Sequence, residues 1–154
     1  MSPTGGETGR SNAELSADFV TWNRRTQLGV VFDSSTCFKL PGGGDRSPDV
    51  AWVEKTDGRL SPRPAPQVPA HLSRFRPRTP FPSDNVTTVR AKMQEYLDSG
   101  LRLGRLINPQ DQQVEIYRSK QVPEILQAPE SLSGSPVIPD FILNLSWLWQ
   151  QPST

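Results

Sequence analysis

Residues Arg90 to Ser119 read RAKMQEYLDSGLRLGRLINPQDQQVEIYRS and predict a helix followed by a β-hairpin. Around the start of this stretch, apolar residues recur three to four positions apart, which places them on one face of a helix. These residues are Val86, Val89, Met93, Tyr96 and Leu97. Ser83 and Asp84 can cap the start of this helix, and Gly100 supplies the left-handed residue at which it ends.

A β-hairpin is predicted directly after this helix. Leu101 to Ile107 forms a largely apolar strand, and Asn108-Pro109 breaks it. Val114 to Tyr117 is again apolar and returns as the partner strand.

The first third of the chain predicts a helix, a hairpin and a further strand. After the Gly/Thr-rich residues 1–9, a helix extends to about Thr26, and its inner face carries three apolar residues, Leu15, Phe19 and Trp22. Leu28 to Phe32 reads as a strand, residues 33–35 as a tight turn and Thr36 to Leu40 as the returning strand. Asp49 then opens a strand from Val50 to Val53.

The last third predicts short elements that close the core. Val122 to Leu126 is read as a strand, residues 128–134 as a loop and Phe141 to Leu145 as a final strand or turn, with Trp147 and Trp149 packing behind it. The order of the elements favours one mixed α/β (α+β) domain over residues 1–154, with a small mixed sheet flanked by helices.

Composition excludes several classes of protein. The 154 residues contain 17 Lys+Arg and 16 Asp+Glu, so bulk charge indicates neither a nucleic-acid nor a membrane partner. Only one cysteine and one histidine are present, which excludes an internal disulfide and argues against a structural zinc site. No stretch reads as a signal peptide or a membrane span, and we expect a cytoplasmic protein without a membrane partner.

Residues 60–82 differ in character from the rest of the chain. The segment LSPRPAPQVPAHLSRFRPRTPFP contains seven prolines and four arginines and has no usable period. Because proline interrupts both helices and strand ladders, we expect an irregular Pro/Arg-rich insert without an internal strand or helix.

Two polar residues pose the chemical question. Lys92 lies on the predicted helix, where a lysine is ordinarily a solvated surface residue. Asp49 follows Ser47-Pro48, where an aspartate commonly caps a turn. The residues alone do not decide between these readings and a catalytic one.

Several motifs resemble one protein family. They are GETGRSNAEL, SPDVAWVE, the block from KMQEYLDSG to INP and the closing PDFILNL. Together they resemble the Uma-two family of restriction-type endonucleases, in the PD-(D/E)XK nuclease superfamily. The resemblance covers most of the chain outside residues 55–82.

The resemblance implies metal-assisted hydrolysis of DNA phosphodiesters in a restriction-endonuclease-like core. It makes Asp49 a catalytic carboxylate and a ligand of Mg²⁺ (or Mn²⁺), because this metal prefers hard oxygen ligands. It makes Lys92 the residue that orients the attacking water or stabilises developing negative charge. Tyr96 would flank the site, and Glu7 would be a supporting carboxylate. A homodimer is compatible with the resemblance.

The chain departs from the family pattern in two places. The family normally carries a few dozen residues before MSPTGG, so part of the sheet and core is expected to be absent. The central strand that should supply the metal-binding Glu is also expected to be disrupted, because AHLSRFRPRTPF stands in its place. One codon choice for residues 71–81, read one nucleotide later, encodes ICPDFVLELRS. We therefore hypothesise two compensating frame shifts, one near residues 60–63 and one near Pro82.

Three readings follow from these departures. The first is a nuclease by descent that is impaired or inactive and partly unfolded or prone to aggregate. The second is an active nuclease in which Asp84 or Glu54 replaces the lost ligand. The third is a non-catalytic module that binds a protein through the proline-rich insert, or nucleic acid through the arginines of this region, Arg63, Arg74, Arg76 and Arg78.

Overall fold

A computed structural model gives the fold of the chain. It describes residues 6–33, 35–40, 45–56, 59–60, 71–75, 86–109, 111–135 and 137–150. Within these ranges, the description covers only the backbone of residues 6–9, 56, 59–60, 71–75 and 86.

Three helices and eleven strands make up the described part of the chain. The helices are α1 (Gly6–Thr26), α2 (Val86–Asp98) and α3 (Ser146–Trp149). The strands are β1 (Gly29–Asp33), β2 (Phe38–Lys39), β3 (Asp45–Arg46), β4 (Val50–Thr56), β5 (Arg59–Leu60), β6 (His71–Phe75), β7 (Leu103–Asn108), β8 (Gln113–Arg118), β9 (Glu124–Gln127), β10 (Ser131–Ser133) and β11 (Ile142–Asn144).

A seven-stranded sheet organises these elements in the order β1-β4-β6-β7-β8-β9, with β5 paired to the end of β4. Only β6 and β7 run parallel among its pairs. A parallel pair needs a crossover connection, and α2 lies between β6 and β7 in the chain. β10 pairs with β11 and β2 with β3 in two small separate sheets.

Alternation along the strands divides the interior into two cores. In β4, Val50 and Trp52 point to one face and Ala51 and Val53 to the other. The first face packs against α1, β10, β11 and α3, and we call it the α1-side core. The second face packs against α2 and is called the α2-side core.

The structure confirms the mixed α+β class and most of the predicted elements. α1 ends at Thr26, with Leu15, Phe19 and Trp22 buried as expected. α2, the β7–β8 hairpin and β4 form where the sequence places them, β9 and β11 match the two late strands, and Trp147 and Trp149 pack on the α1-side core. The proposed caps Ser83 and Asp84 lie outside the described residues.

The end of α2 follows the predicted glycine stop. Gly100 has a φ of 110°, in the left-handed region. Its amide donates to the carbonyl of Leu97, and the amide of Leu101 donates to the carbonyl of Tyr96, both at 3.0 Å. These two bonds satisfy carbonyls that the helix end would otherwise leave unpaired.

The prediction that residues 60–82 hold no strand is wrong. His71–Phe75 forms β6 at the centre of the sheet, hydrogen-bonded to β4 on one side and β7 on the other. This window contains no proline, since the nearest ones are Pro69 and Pro77. Hydrogen-bonded ladders on both sides therefore outweigh the proline-rich composition of the flanking residues. β6 occupies the central strand position that was expected to be disrupted. Residues 61–70 and 76–85 lie outside the described part of the chain.

Two local predictions are also wrong. Residues 36–40 do not return along β1, because β1 pairs with β4 over five residues and β2 pairs with β3 instead. Residues 128–134 are not wholly a loop, because Ser131–Ser133 forms β10 against β11. In both cases the strand that supplies the ladder, β3 for β2 and β11 for β10, is not the one that the local sequence pattern indicates.

The central position of β6 predicts strong amide protection. In native-state hydrogen exchange, residues 71–75 should open with free energies near that of global unfolding, because both edges of β6 are paired. The edge strand β1, also five residues long, is the matched comparison and should exchange faster. Fast exchange in β6 beside slow exchange in β7 would contradict this placement.

Candidate functional site

Helix α2 is held on the sheet by a stripe of buried side chains. Val89, Met93 and Tyr96 are at most 2% exposed. The helix packs closely at Gly104 of β7, where an added Cβ would stand 2.8 Å from both Met93 Cε and Leu101 Cδ2. A side chain at position 104 would therefore push into the α2-side core.

Ion pairs fix both flanks of α2. On one flank, the Arg90 guanidinium donates to the Glu115 carboxylate on β8, with Nε 2.9 Å from Oε1. On the other flank, Arg46 of β3 donates to Glu95, with Nη2 2.7 Å from Oε2. These pairs orient the helix about its own axis.

Lys92 lies on the Arg46 side of α2. Successive helical residues are rotated by about 100°. Relative to Val89 at the centre of the buried stripe, Arg90 is therefore turned about 100° one way and Lys92 about 60° the other. Lys92 is half-buried, and this flank faces β3 and β4.

Asp49 lies on the same side of the sheet. It directly precedes β4 and is half-buried. Asp49 is two residues before Ala51 and four before Val53, which both face the α2-side core. Because side chains alternate along a strand, Asp49 belongs to the same face. The fold therefore places Asp49 and Lys92 on the same face of the sheet. Lys92 is on the side of α2 that pairs with Arg46 of β3.

The other two predicted site residues occupy different environments. The Tyr96 ring is fully buried in the α2-side core, where it anchors the helix. Glu7 lies on α1, whose buried residues pack on the opposite face of the sheet, and its side chain is not described. A role for either residue in the chemistry stays a prediction.

A buried carboxylate that the sequence reading missed lies across the same face. Glu115 is 6% exposed at its side chain, and it accepts hydrogen bonds from Arg90 and from the Tyr117 hydroxyl, which is 2.6 Å away. The Glu115 bond raises the pKa of Arg90. Burial, followed by the Glu115 bond, raises the pKa of Tyr117. The only sequence signal is a charged residue between apolar neighbours in Val114-Glu115-Ile116, which usually marks the solvated face of a strand.

These carboxylates do not assemble a metal site. Among the described residues, no group of three or more His, Cys, Asp or Glu side chains is placed to hold an ion. Glu115 is three strands from β4, about 14 Å at about 4.8 Å per strand. Glu54 has the opposite parity to Asp49, lies about 16 Å farther along β4 and pairs with Arg102. Neither can complete a shell around a metal bound at Asp49, and Asp84 lies outside the described residues.

Comparisons with known proteins place this geometry in a fold and a family. A crystal structure described as a putative nuclease belonging to DUF820 from Anabaena variabilis ATCC 29413 has a similar fold, with a TM-score of 0.70 and 19% identity. The match covers 90% of this chain and 77% of that one. The Uma2 family model, described as "Putative restriction endonuclease", matches residues 1–146. The chain therefore belongs to the Uma2 family.

Family membership supports a nuclease-like function with nucleic acid as the implied substrate. Restriction-endonuclease-like proteins generally use divalent metal ions. No curated protein matches the sequence. In the described part of the chain, no helix is both long and apolar enough to cross a membrane.

The burial of Glu115 predicts unequal costs for two similar arginine substitutions. Arg90→Met leaves a buried carboxylate without its cation and should lower the free energy of unfolding by about 1–3 kcal/mol. Arg102→Met is the matched control, because both arginine side chains are 48% exposed but Glu54 is 52% exposed. It should cost no more than about 0.5 kcal/mol.

Urea denaturation at pH 7 measures both losses. The double variant Arg90→Met/Glu115→Leu should recover much of the first loss, because it removes the stranded charge. Equal losses for the two single variants would show that the Arg90–Glu115 pair contributes no more than a surface pair.

Proposed function

We propose that the chain descends from metal-dependent DNA endonucleases of the restriction type and that its own cleavage activity is impaired or absent. The proposal rests on Asp49 and Lys92 lying on one face of the sheet, while the described residues offer no group of three or more His, Cys, Asp or Glu side chains that could hold a metal ion. The family assignment supports the reaction class.

Among the described residues, Asp49 is the carboxylate available to the proposed magnesium site, whereas the family resemblance implies two. Mg²⁺ is normally bound through one or two carboxylates together with waters and substrate phosphate oxygens, and Asp49 supplies one carboxylate. The Glu expected on the central strand falls near residue 78, in a segment that is not described.

Lys92 retains a chemical role that does not require the missing ligand. Its cation, projected from the flank of a rigid helix, can lower the energy of negative charge that develops on a phosphate. Packing of Val89, Met93 and Tyr96 on both sides of its helical position limits how far Lys92 can move. A displacement of about 1 Å can still cost about 100-fold in rate, so the frame formed by β4 and β6 matters as much as the lysine itself.

A plasmid-nicking assay with Mg²⁺ or Mn²⁺ tests the proposal. The present chain should leave supercoiled DNA intact, or cut it at least about 100-fold more slowly than a version with the reading frame over residues 60–82 restored. In the restored protein, Asp49→Asn and Lys92→Met should abolish cutting.

Asp98→Asn provides the control for that assay. Asp98 is an exposed carboxylate on α2, 2.9 Å from the side-chain amide of Gln94, and its loss should leave cutting unchanged. Cutting by the present chain that depends on Asp49 would show that a replacement ligand exists. If the restored protein fails to cut although it folds, the assignment of Asp49 and Lys92 is wrong.

A DNA-binding measurement distinguishes an impaired nuclease that still binds DNA from a chain that no longer binds it. Fluorescence anisotropy with a labelled duplex should show weak binding that falls steeply with salt, because phosphate contacts by cations release counterions. Lys92→Met should reduce affinity and the salt slope, while Lys120→Met, at an exposed turn residue, should not. Tight binding without cleavage, unaffected by Lys92→Met, would instead favour a non-catalytic binding module.

A further inference from the structure

Arg105 is a cation in the interior of the sheet. It lies in the middle of β7 with an exposure of 0%. Its parity is that of Leu103 and Ile107, so it points into the α1-side core, away from the face that carries Asp49 and Lys92. It is therefore separate from the candidate nuclease site.

The Arg105 guanidinium has one hydrogen bond from five potential N–H donors. Nη2 donates to the carbonyl oxygen of Ser133 on β10, at 2.7 Å. Nε and Nη1 are buried and have no hydrogen-bond partner in the described part of the chain. Buried polar groups in folded proteins are nearly always satisfied, by protein atoms, by water or by an ion.

The charges around Arg105 make its position more costly. Burial, and then the nearby cation of Arg118, lower the pKa of Arg105 to about 9, so the side chain is still protonated at neutral pH. Arg118 is diagonal to Arg105 on the same face, because Ile116 is directly opposite Arg105. Glu124 pairs with Arg118 at 3.0 Å, while no described carboxylate contacts Arg105.

We propose that the buried guanidinium of Arg105, with the partly exposed Arg118 diagonal to it, binds a small inorganic anion of halide size. The anion would accept hydrogen bonds from Arg105 Nε and Nη1 and offset the repulsion between the two guanidinium groups. The full burial of Arg105 excludes a DNA phosphate or another macromolecular group as the ligand.

The site would tie the β10–β11 hairpin to the main sheet. The hairpin already contacts Arg105 through the Ser133 carbonyl, and Leu132 of β10 and Leu143 of β11 are buried in the α1-side core. A bound anion that neutralises Arg105 would remove the cost of keeping the hairpin closed over a charge. Anion binding would then stabilise the whole domain by mass action.

Thermal unfolding at constant ionic strength tests the proposal, with sodium chloride replaced stepwise by sodium gluconate. For the wild-type chain, each tenfold rise in chloride above its dissociation constant should raise Tm by roughly 3–5 °C. Arg105→Met should remove this chloride-specific rise. Arg24→Met, at an exposed position in the last turn of α1, should retain it.

Bromide provides a direct readout that needs no variant. Anomalous diffraction from wild-type crystals soaked in sodium bromide should show a peak within hydrogen-bonding reach of Arg105 Nε or Nη1. Equal Tm values in chloride and gluconate would overturn the proposal and assign these donors to water. A bromide peak without a chloride-dependent Tm would mean an adventitious ion only, and would overturn it as well.

Discussion

The buried stripe by which α2 packs on β7, near Gly104, sets the geometry of the α2 face. With no Cβ at this position, Met93 and Leu101 fill the space above the strand and the helix rests directly on the sheet. In this position Arg90 pairs with the buried Glu115 on one flank, and Glu95 pairs with Arg46 on the other. The buried stripe of Val89, Met93 and Tyr96 sets the rotation of the helix, with the two pairs on either flank, and so sets the direction in which Lys92 leaves it. The position of a residue proposed for catalysis is therefore set by contacts that take no part in chemistry.

The buried charges on the two faces of the sheet differ in how many hydrogen-bond partners they have. On the α2 side, the Glu115 carboxylate accepts from Arg90 and Tyr117, so the cost of its burial is offset by charge-assisted hydrogen bonds. On the α1 side, Arg105 has one carbonyl partner and a neighbouring cation. Both charges are buried on neighbouring strands, but the described residues satisfy only Glu115, and this difference is the basis of the anion proposed at Arg105.

Sequence patterns correctly predicted the helices and strands that are indicated by their own local sequence. The stripe of α2, its glycine stop and the two apolar strands that follow are local features, and each formed where expected. β6 was missed because its stability comes from ladders on both sides, whereas the surrounding prolines dominate the local composition. Glu115 and Arg105 were missed for a related reason. A charged residue within an alternating strand looks like the solvated face, and only the packing of a helix or hairpin over it shows that both faces are covered.

The same separation of local and distant effects would allow the fold to persist in the impaired nuclease that we propose. The sheet requires backbone pairing at β6, which many sequences provide as long as proline is kept out of a five-residue window. The metal centre that the family resemblance implies would need, in addition, a particular carboxylate within a few ångströms of Asp49. The buried Glu115 cannot take over, because three strand spacings separate it from β4 and because its oxygens already serve Arg90 and Tyr117. Moving that carboxylate towards Asp49 would strand Arg90 and loosen α2, which is the element that positions Lys92. Stability and catalysis therefore compete for the few acidic residues on this face, and the observed contacts commit Glu115 to stability.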